Sequence, residues 1–135
     1  MDFAEYLVKE HGYEVYFMCD TDDDLPNHLK EGMHYIPVPM KRGISFDGVK
    51  VIMRMKKVFE YEQFDIIQYA TPNAALYASI AANMAGVKNS LYTHWGSRYM
   101  GYSGGVCRFI FKTLEKIACK NSTIIETESF SLMEY

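Results

Sequence analysis

A histidine, a tryptophan and an arginine fall close together in one glycine-containing segment, where they could bind a sugar or a phosphate. His94, Trp95 and Arg98 follow an apolar run that ends at Thr93. An aromatic face can pack on a sugar ring or a prenyl chain, and cationic side chains attract phosphate. The bland alternative is a loop with a packed tryptophan and a solvated arginine. From the residues alone, these two interpretations are about equally well supported.

A second candidate anion site lies at a predicted helix start. Tyr69, Ala70, Thr71 and Asn73 flank Pro72, a residue that suits the first turn of a helix because its missing N–H costs nothing there. Threonine is a favourable N-cap, and the amino end of a helix attracts anions. For Thr71 a plain helix cap is the better-supported interpretation.

A basic stripe marks a third candidate surface. Lysine or arginine recurs at every fourth residue, which places these side chains along one helix face, and Phe109 lies on the same side. Such a face suits an anionic membrane surface, at about 1 kcal/mol for each basic residue near the lipid. A solvated helix face is the open alternative. The predicted membrane-contact residues are Arg108, Phe109, Lys112, Lys116 and Lys120.

Other chemistries have little support in the sequence. The acidic run Asp20–Asp24 lacks the spacing and closing glutamate of a calcium loop, so a solvated loop is predicted. Cys19, Cys107 and Cys119 are widely spaced and form no C-x-x-C motif, which favours a reducing compartment over a disulfide framework or zinc site. The net charge of −3 gives no bulk argument for nucleic acid. We therefore expect no metal, no cofactor and no nucleic-acid partner.

The elements that would position these side chains alternate along the chain. The 135 residues suffice for one domain. Hydrophobic periodicity and turn residues predict helices over 2–10, 48–61, 72–85 and 107–120, strands over 13–19, 35–39, 65–69, 89–93 and 122–126, and a last helix from Ser129. This alternation predicts an α/β fold, a Rossmann-like parallel sheet with helices on both faces. Ligands of such sheets bind at the carboxyl ends of the strands.

The order of several segments resembles the retaining glycosyltransferases of family 4. The similar segments are Gly12–Val15, Phe64–Pro72, Ala81–Val87, Leu91–Gly96, Leu114–Cys119 and Ser129–Leu132. Arg98 and Tyr99, together with Gly101, Ser103 and Gly104, resemble the members that build capsular and exopolysaccharides. Each piece is weakly specific, but the ordered series covers nearly the whole chain.

This resemblance implies one half of a GT-B fold, in which two Rossmann-like domains enclose the reaction cleft. In the family the amino-terminal domain holds the acceptor, and the other domain holds the nucleotide-sugar donor with a pair of glutamates. Residues 1–135 would form a single acceptor-side domain that lacks its first strand and glycine turn. The donor-binding domain would be absent and would have to be supplied in cis or in trans. We thus expect a hexosyltransferase fragment that is inactive alone.

The resemblance also implies which residues contact the acceptor, a sugar or a lipid-linked sugar for polysaccharide biosynthesis. The family usually has histidine and glycine after its fifth strand, whereas here Trp95 precedes Gly96 and His94 stands one place earlier. Acceptor binding is therefore favoured over direct catalysis by His94. The predicted acceptor-binding residues are Tyr69, Thr71, Asn73, Thr93, His94, Trp95, Gly96, Arg98 and Tyr99.

The location and assembly of the protein are predicted more coarsely. The amino terminus has no basic and apolar signal-peptide pattern, and no apolar run reaches the ~20 residues that span a bilayer. We expect a cytoplasmic protein, with peripheral contact at the inner face of the membrane left open. A missing strand would leave an unpaired sheet edge, which invites a homodimer. The alternative function is a non-catalytic binding or assembly module that reuses the fold.

Overall fold

The chain divides into two compact units, Met1–Lys41 and Arg42–Tyr135, and each is described by itself. The computed structural model describes residues 2–20, 24–40, 47–96, 101 and 104–127. In both units the strands pair in parallel and are accompanied by helices. The predicted fold class, α/β with Rossmann-like parallel strands and flanking helices, is confirmed.

The first unit is a small α/β layer. Its elements are the helix α1 (Asp2–His11), the strand β1 (Val15–Cys19), a short 3-10 helix (Leu25–His28) and the strand β2 (Met33–Pro37). The two strands pair in parallel, with Val15 opposite Met33 and Cys19 opposite Pro37. Ala4, Met33 and Val38 are its buried apolar side chains. Because β1 is rich in β-branched and aromatic residues, it favours the extended conformation.

Glycine and ion pairs fix α1 against the rest of the first unit. Gly12 ends the helix with a φ of 67°, and its backbone N–H donates to the Val8 carbonyl over 3.1 Å. The Glu5 carboxylate accepts from Lys30 over 2.6 Å and from Lys9 over 2.6 Å. The hydrogen bonds from Lys30 and Lys9 lower the pKa of Glu5 to about 2. These contacts link α1 to the segment before β2.

The described residues of the second unit form three helices and a three-stranded parallel sheet. Its elements are α2 (Gly48–Glu62), β3 (Ile66–Tyr69), α3 (Pro72–Ala85), β4 (Asn89–His94), α4 (Gly105–Asn121) and β5 (Ile124–Thr127). The strand order is β3-β4-β5, so β4 is central. Tyr69 lies opposite Tyr92, and His94 lies opposite Thr127. The carboxyl ends of all three strands therefore meet at one edge.

The helix α3 is the packing centre of the second unit, in contact with both α2 and α4. Apart from Tyr77, its buried positions are alanine or serine, and Ala75 and Ala81 have no exposed surface. Small side chains let neighbouring helix backbones approach closely. The helix ends at Gly86, whose φ is 73°, and the Val87 N–H caps the Ala82 carbonyl over 3.0 Å. This pairing is a Schellman motif, the helix end that glycine favours.

Most predicted elements lie within one or two residues of the observed ones. The helix predicted over 72–85 is confirmed at Pro72–Ala85. The strand predicted over 35–39 lies two residues earlier, at Met33–Pro37, and the predicted helix over 107–120 starts earlier, at Gly105. Asp47 and Thr71 occupy the predicted N-cap positions, but neither side chain makes a capping hydrogen bond. The helix predicted from Ser129 lies outside the described residues.

Candidate functional site

His94 ends the central strand, at the carboxyl edge of the sheet in the second unit. Its side chain is only 9% exposed, and its Nε2 atom lies 3.7 Å from the nearer carboxylate oxygen of Glu115 on α4. The Tyr92 ring packs edge-on against the imidazole, with ring centroids 5.3 Å apart. The imidazole is therefore held among side chains of the core and turned towards α4.

A small cavity lies beside this pair, between α3, α4 and β4. Its volume of about 20 Å³ has room for a single water molecule. Asn73 and Glu115 contribute polar side chains to its wall. The complete lining is Pro72, Asn73, Leu76, Tyr92, Phe111, Leu114, Glu115 and Ala118. The cavity thus brings the predicted Asn73 to the same place as the carboxylate that faces His94.

Trp95 follows His94 directly and presents its side chain to solvent. Its side chain is 63% exposed, whereas the three residues before it are buried. The next residue, Gly96, has a φ of 146°, a backbone conformation that residues other than glycine rarely adopt. Glycine therefore suits the position directly after the tryptophan. The predicted acceptor-binding residues Arg98 and Tyr99 lie outside the described residues.

Tyr69 and Thr93 take positions away from the His94 side chain. The Tyr69 hydroxyl is 2.6 Å from the Ser122 Oγ, which precedes β5, so its buried ring points towards the amino ends of the strands. Thr93 points to the opposite sheet face, where its Oγ1 accepts from Gln68 over 3.1 Å and donates to Glu126 over 3.3 Å. Thr71 is exposed at the N-cap of α3. Of the predicted set, His94, Trp95 and Gly96 follow one another at the carboxyl end of β4, and Asn73 lines the cavity that Glu115 also lines.

The predicted membrane-contact residues lie along α4. Phe109 is 71% exposed, and Arg108, Lys116 and Lys120 are also exposed, while Lys112 is half-buried. Two more apolar side chains on the first turns, Val106 and Ile110, are exposed as well. No helix among the described residues is long and apolar enough to cross a bilayer. The first two turns of α4 therefore present an apolar surface beside basic side chains.

Glu115 is the residue of this site that the sequence interpretation missed. It lies on α4 between Phe111 and Ala118, at the helical spacing of a buried stripe. A carboxylate at such a position is unfavourable unless it has a partner. That pattern was a usable signal, because an acid on the inward face of a helix predicts a buried polar contact.

The arrangement suits binding more than proton transfer to an exposed substrate. The imidazole and the carboxylate are directed into the protein, whereas the indole is directed outwards. In the described part of the chain, no group of three or more His, Cys, Asp or Glu side chains could hold a metal ion. A unit of parallel strands accompanied by helices defines the class of Rossmann-like α/β domains.

Within that class, comparison with known families identifies the chain. Residues 1–129 match the model of the family described as glycosyl transferase 4-like, and the chain belongs to that family. The predicted resemblance to the amino-terminal domain of a family 4 glycosyltransferase of the capsular type is thereby confirmed.

Two curated relatives are similar over most of the chain. The capsular polysaccharide biosynthesis glycosyltransferase CapM of Staphylococcus aureus is 31% identical over 128 residues, which cover 93% of this chain and 33% of the relative. The UDP-Gal:alpha-D-GlcNAc-diphosphoundecaprenol alpha-1,3-galactosyltransferase of Escherichia coli is 24% identical over 119 residues, covering 87% of this chain and 31% of the relative. The chain spans about a third of the length of both relatives. The family and these relatives support a role in sugar transfer.

Proposed function

We propose that this chain is the acceptor-binding half of a glycosyltransferase that acts on a lipid-linked or polysaccharide acceptor. The observation that carries the proposal is the exposed Trp95 at the carboxyl edge of the central strand, between the buried His94 and Gly96, whose φ is positive. An exposed indole at the ligand-binding edge of a parallel sheet offers a face for a sugar ring. We also propose that residues 1–135 belong to a single acceptor-side domain.

The choice of acceptor class draws on the relatives. The relative from Escherichia coli is named for transfer of galactose from UDP-Gal to an N-acetylglucosamine linked through diphosphate to undecaprenol. A sugar, a diphosphate and a prenyl chain would use an aromatic face and nearby positive charge. The predicted Arg98 follows Trp95 closely in the sequence and would supply that charge.

We expect an N-acetylglucosaminyl diphosphate that carries a short prenyl chain to change the fluorescence of Trp95. The protein has one tryptophan, so the signal comes from this loop alone. Trp95→Ala should weaken binding, measured by calorimetry, about tenfold or more, because aromatic side chains that become buried on binding contribute most of the binding energy. Tyr61→Ala is the matched control, since Tyr61 is 84% exposed at the far end of α2. Equal effects of the two substitutions would refute this assignment.

Sugar transfer should require a donor-binding partner. The catalytic step needs the donor diphosphate held against the acceptor, which gives both proximity and charge stabilisation. We expect the 135-residue chain to hydrolyse or transfer no sugar from UDP-galactose at rates above the uncatalysed background. Robust turnover by this chain alone would contradict the proposed division of labour.

We further propose that the first turns of α4 rest on an anionic membrane. Val106 and Phe109 are 74% and 71% exposed, and the basic stripe from Arg108 to Lys120 runs beside them. Apolar side chains that enter the lipid boundary and cations near acidic headgroups act together in such contacts. This surface would bring a lipid-linked acceptor to the protein.

Vesicle sedimentation tests the membrane contact. The chain should pellet with vesicles that contain phosphatidylglycerol and should remain in solution with phosphatidylcholine alone, and high salt should release it. Phe109→Ser should reduce pelleting several-fold, since it removes the largest exposed apolar side chain of this surface. Val49→Ser is the matched control, because Val49 is a 65% exposed apolar residue on α2. Equal pelleting with phosphatidylglycerol-containing and phosphatidylcholine vesicles would rule out the proposed contact.

A further inference from the structure

We propose that Glu115 is a positioning residue of the acceptor site, which acts through His94 to fix the end of β4 from which Trp95 projects. The inference rests on the proposed acceptor-binding function, because the loop that it positions is the proposed acceptor contact. The Glu115 carboxylate faces the imidazole of His94, which directly precedes Trp95 in the chain.

The contact itself joins two elements of the second unit. The Glu115 side chain is 13% exposed and the His94 side chain 9% exposed, and the two lie 3.7 Å apart. That separation is longer than a direct hydrogen bond but within the range of an ion pair. A carboxylate that faces Nε2 favours the ring form that carries its proton on Nε2. Through its charge rather than a hydrogen bond, Glu115 would thereby favour one tautomer and one orientation of the imidazole.

The apolar surroundings of the Glu115 carboxylate make its burial unfavourable unless favourable electrostatic contacts offset the cost. It lines the cavity together with the apolar side chains of Phe111, Leu114 and Ala118, where an unpaired charge is strongly unfavourable. Two features offset that cost: the imidazole of His94, and the first turn of α3, whose amino end favours negative charge. Both features lie at the carboxyl edge of the sheet, so the acid stabilises that edge specifically.

Trp95 depends on this anchoring because of its place in the chain. It follows the anchored His94 without an intervening residue. An anchored strand end holds the indole in one direction before a ligand arrives. Preorganisation of this kind improves affinity by lowering the ordering cost of binding. Without the anchor, the strand end gains freedom and the ligand must restrict it.

Nitrogen NMR of labelled histidine reads the interaction directly. The protein has four histidines, and His94→Gln identifies the His94 signals by their loss. In the unsubstituted chain, neutral His94 should carry its proton on Nε2. In Glu115→Leu this preference should weaken, and in Glu115→Gln it should weaken less, because the amide oxygen keeps a partial negative charge at the same position. Glu60→Gln is the matched control, since Glu60 pairs with Lys56 on α2 instead.

Binding of the prenyl-linked N-acetylglucosaminyl diphosphate, followed by Trp95 fluorescence, reads the functional consequence. Glu115→Leu should weaken binding about fivefold, a typical effect of a residue that acts through another. Glu115→Gln should recover part of that loss, and Glu60→Gln should bind as the unsubstituted chain does. A melting temperature measured for each variant separates this effect from a general loss of folding.

Two results would overturn the inference. A proton found on Nδ1 of neutral His94 in the unsubstituted chain would show that Glu115 does not orient the ring, even if every variant failed to fold. A Glu115→Leu chain that binds as tightly as the unsubstituted one would do the same. If the unsubstituted chain does not bind the ligand at all, the proposed acceptor function fails. The NMR result still decides whether Glu115 orients His94.

Discussion

Replacing Tyr92 with alanine is expected to lower the free energy of unfolding of the second unit by about 3–5 kcal/mol, the usual cost of removing a large buried aromatic side chain. Among the described residues, Tyr92 is the largest fully buried side chain, 1% exposed at the centre of β4. Its ring packs against Tyr69 with centroids 5.7 Å apart and forms part of the cavity wall. Small domains are stable by only about 5–15 kcal/mol, so this loss should approach complete unfolding.

Denaturant unfolding monitored by Trp95 fluorescence measures this effect, because the single tryptophan lies in the second unit. Tyr92→Phe keeps the ring and should cost only about 1 kcal/mol, the net value of one hydrogen-bonding group. Tyr61→Ala removes the same atoms from an 84% exposed position and should change stability by less than about 0.5 kcal/mol. Similar losses for Tyr92→Ala and Tyr61→Ala would contradict the central position of Tyr92.

The stability of the second unit should also fall at alkaline pH, because Tyr92 is buried. Burial, and after it the negative charge of Glu115, raises the pKa of Tyr92 above its ordinary value of 10.0. The folded state keeps this phenol neutral while the unfolded chain ionises near pH 10, so its stabilising contribution is complete below that pH and is lost above it. Tyr92→Phe should therefore lose less stability than the unsubstituted chain as the pH rises above 10.

The sequence predicts elements best where strong local signals mark both ends. The bounds of α3 were predicted correctly, since Thr71 and Pro72 mark the start and Gly86 accepts the left-handed backbone at the end. The strand β2 was placed two residues late, because the prediction followed the extended preference of the proline segment. The ladder with β1 instead runs from Met33 to Pro37 and closes where β1 ends, with the Val38 N–H donating to the Cys19 carbonyl over 2.8 Å.

For the candidate site, the sequence predicts which residues lie at the strand ends, but not which side chains they contact. Parallel-sheet logic placed His94 and Trp95 at the ligand-binding edge, and the structure places them there. It did not reveal that Thr93 and His94 point to opposite faces with different partners, because the helix-covered face depends on tertiary packing. The contact between Glu115 and His94 was not predicted for the same reason. The two residues lie on different elements, and only the packing of α4 on β4 brings them together.

Gly48→Ala should destabilise the second unit by about 1–3 kcal/mol, the usual cost of an extra methyl group in a well-packed core. Gly48 begins α2 and is buried, and an added Cβ would lie 2.8 Å from Cε1 and 2.9 Å from the hydroxyl oxygen of Tyr77 on α3. The Tyr77 ring is only 5% exposed, so it cannot move aside without disturbing the contact between α2 and α3. The loss should appear in thermal and denaturant unfolding.

Gly105→Ala is the matched control, because Gly105 is likewise the first residue of a helix, α4, and a Cβ there would meet nothing within 4 Å. Alanine favours the helix by up to about 1 kcal/mol over glycine, so this substitution should be neutral or stabilising. The opposite signs separate steric exclusion at the α2–α3 contact from helix propensity, which acts in the same direction at both positions. A Gly48→Ala chain as stable as Gly105→Ala would mean that α2 and α3 lie farther apart than their contact through Tyr77 requires.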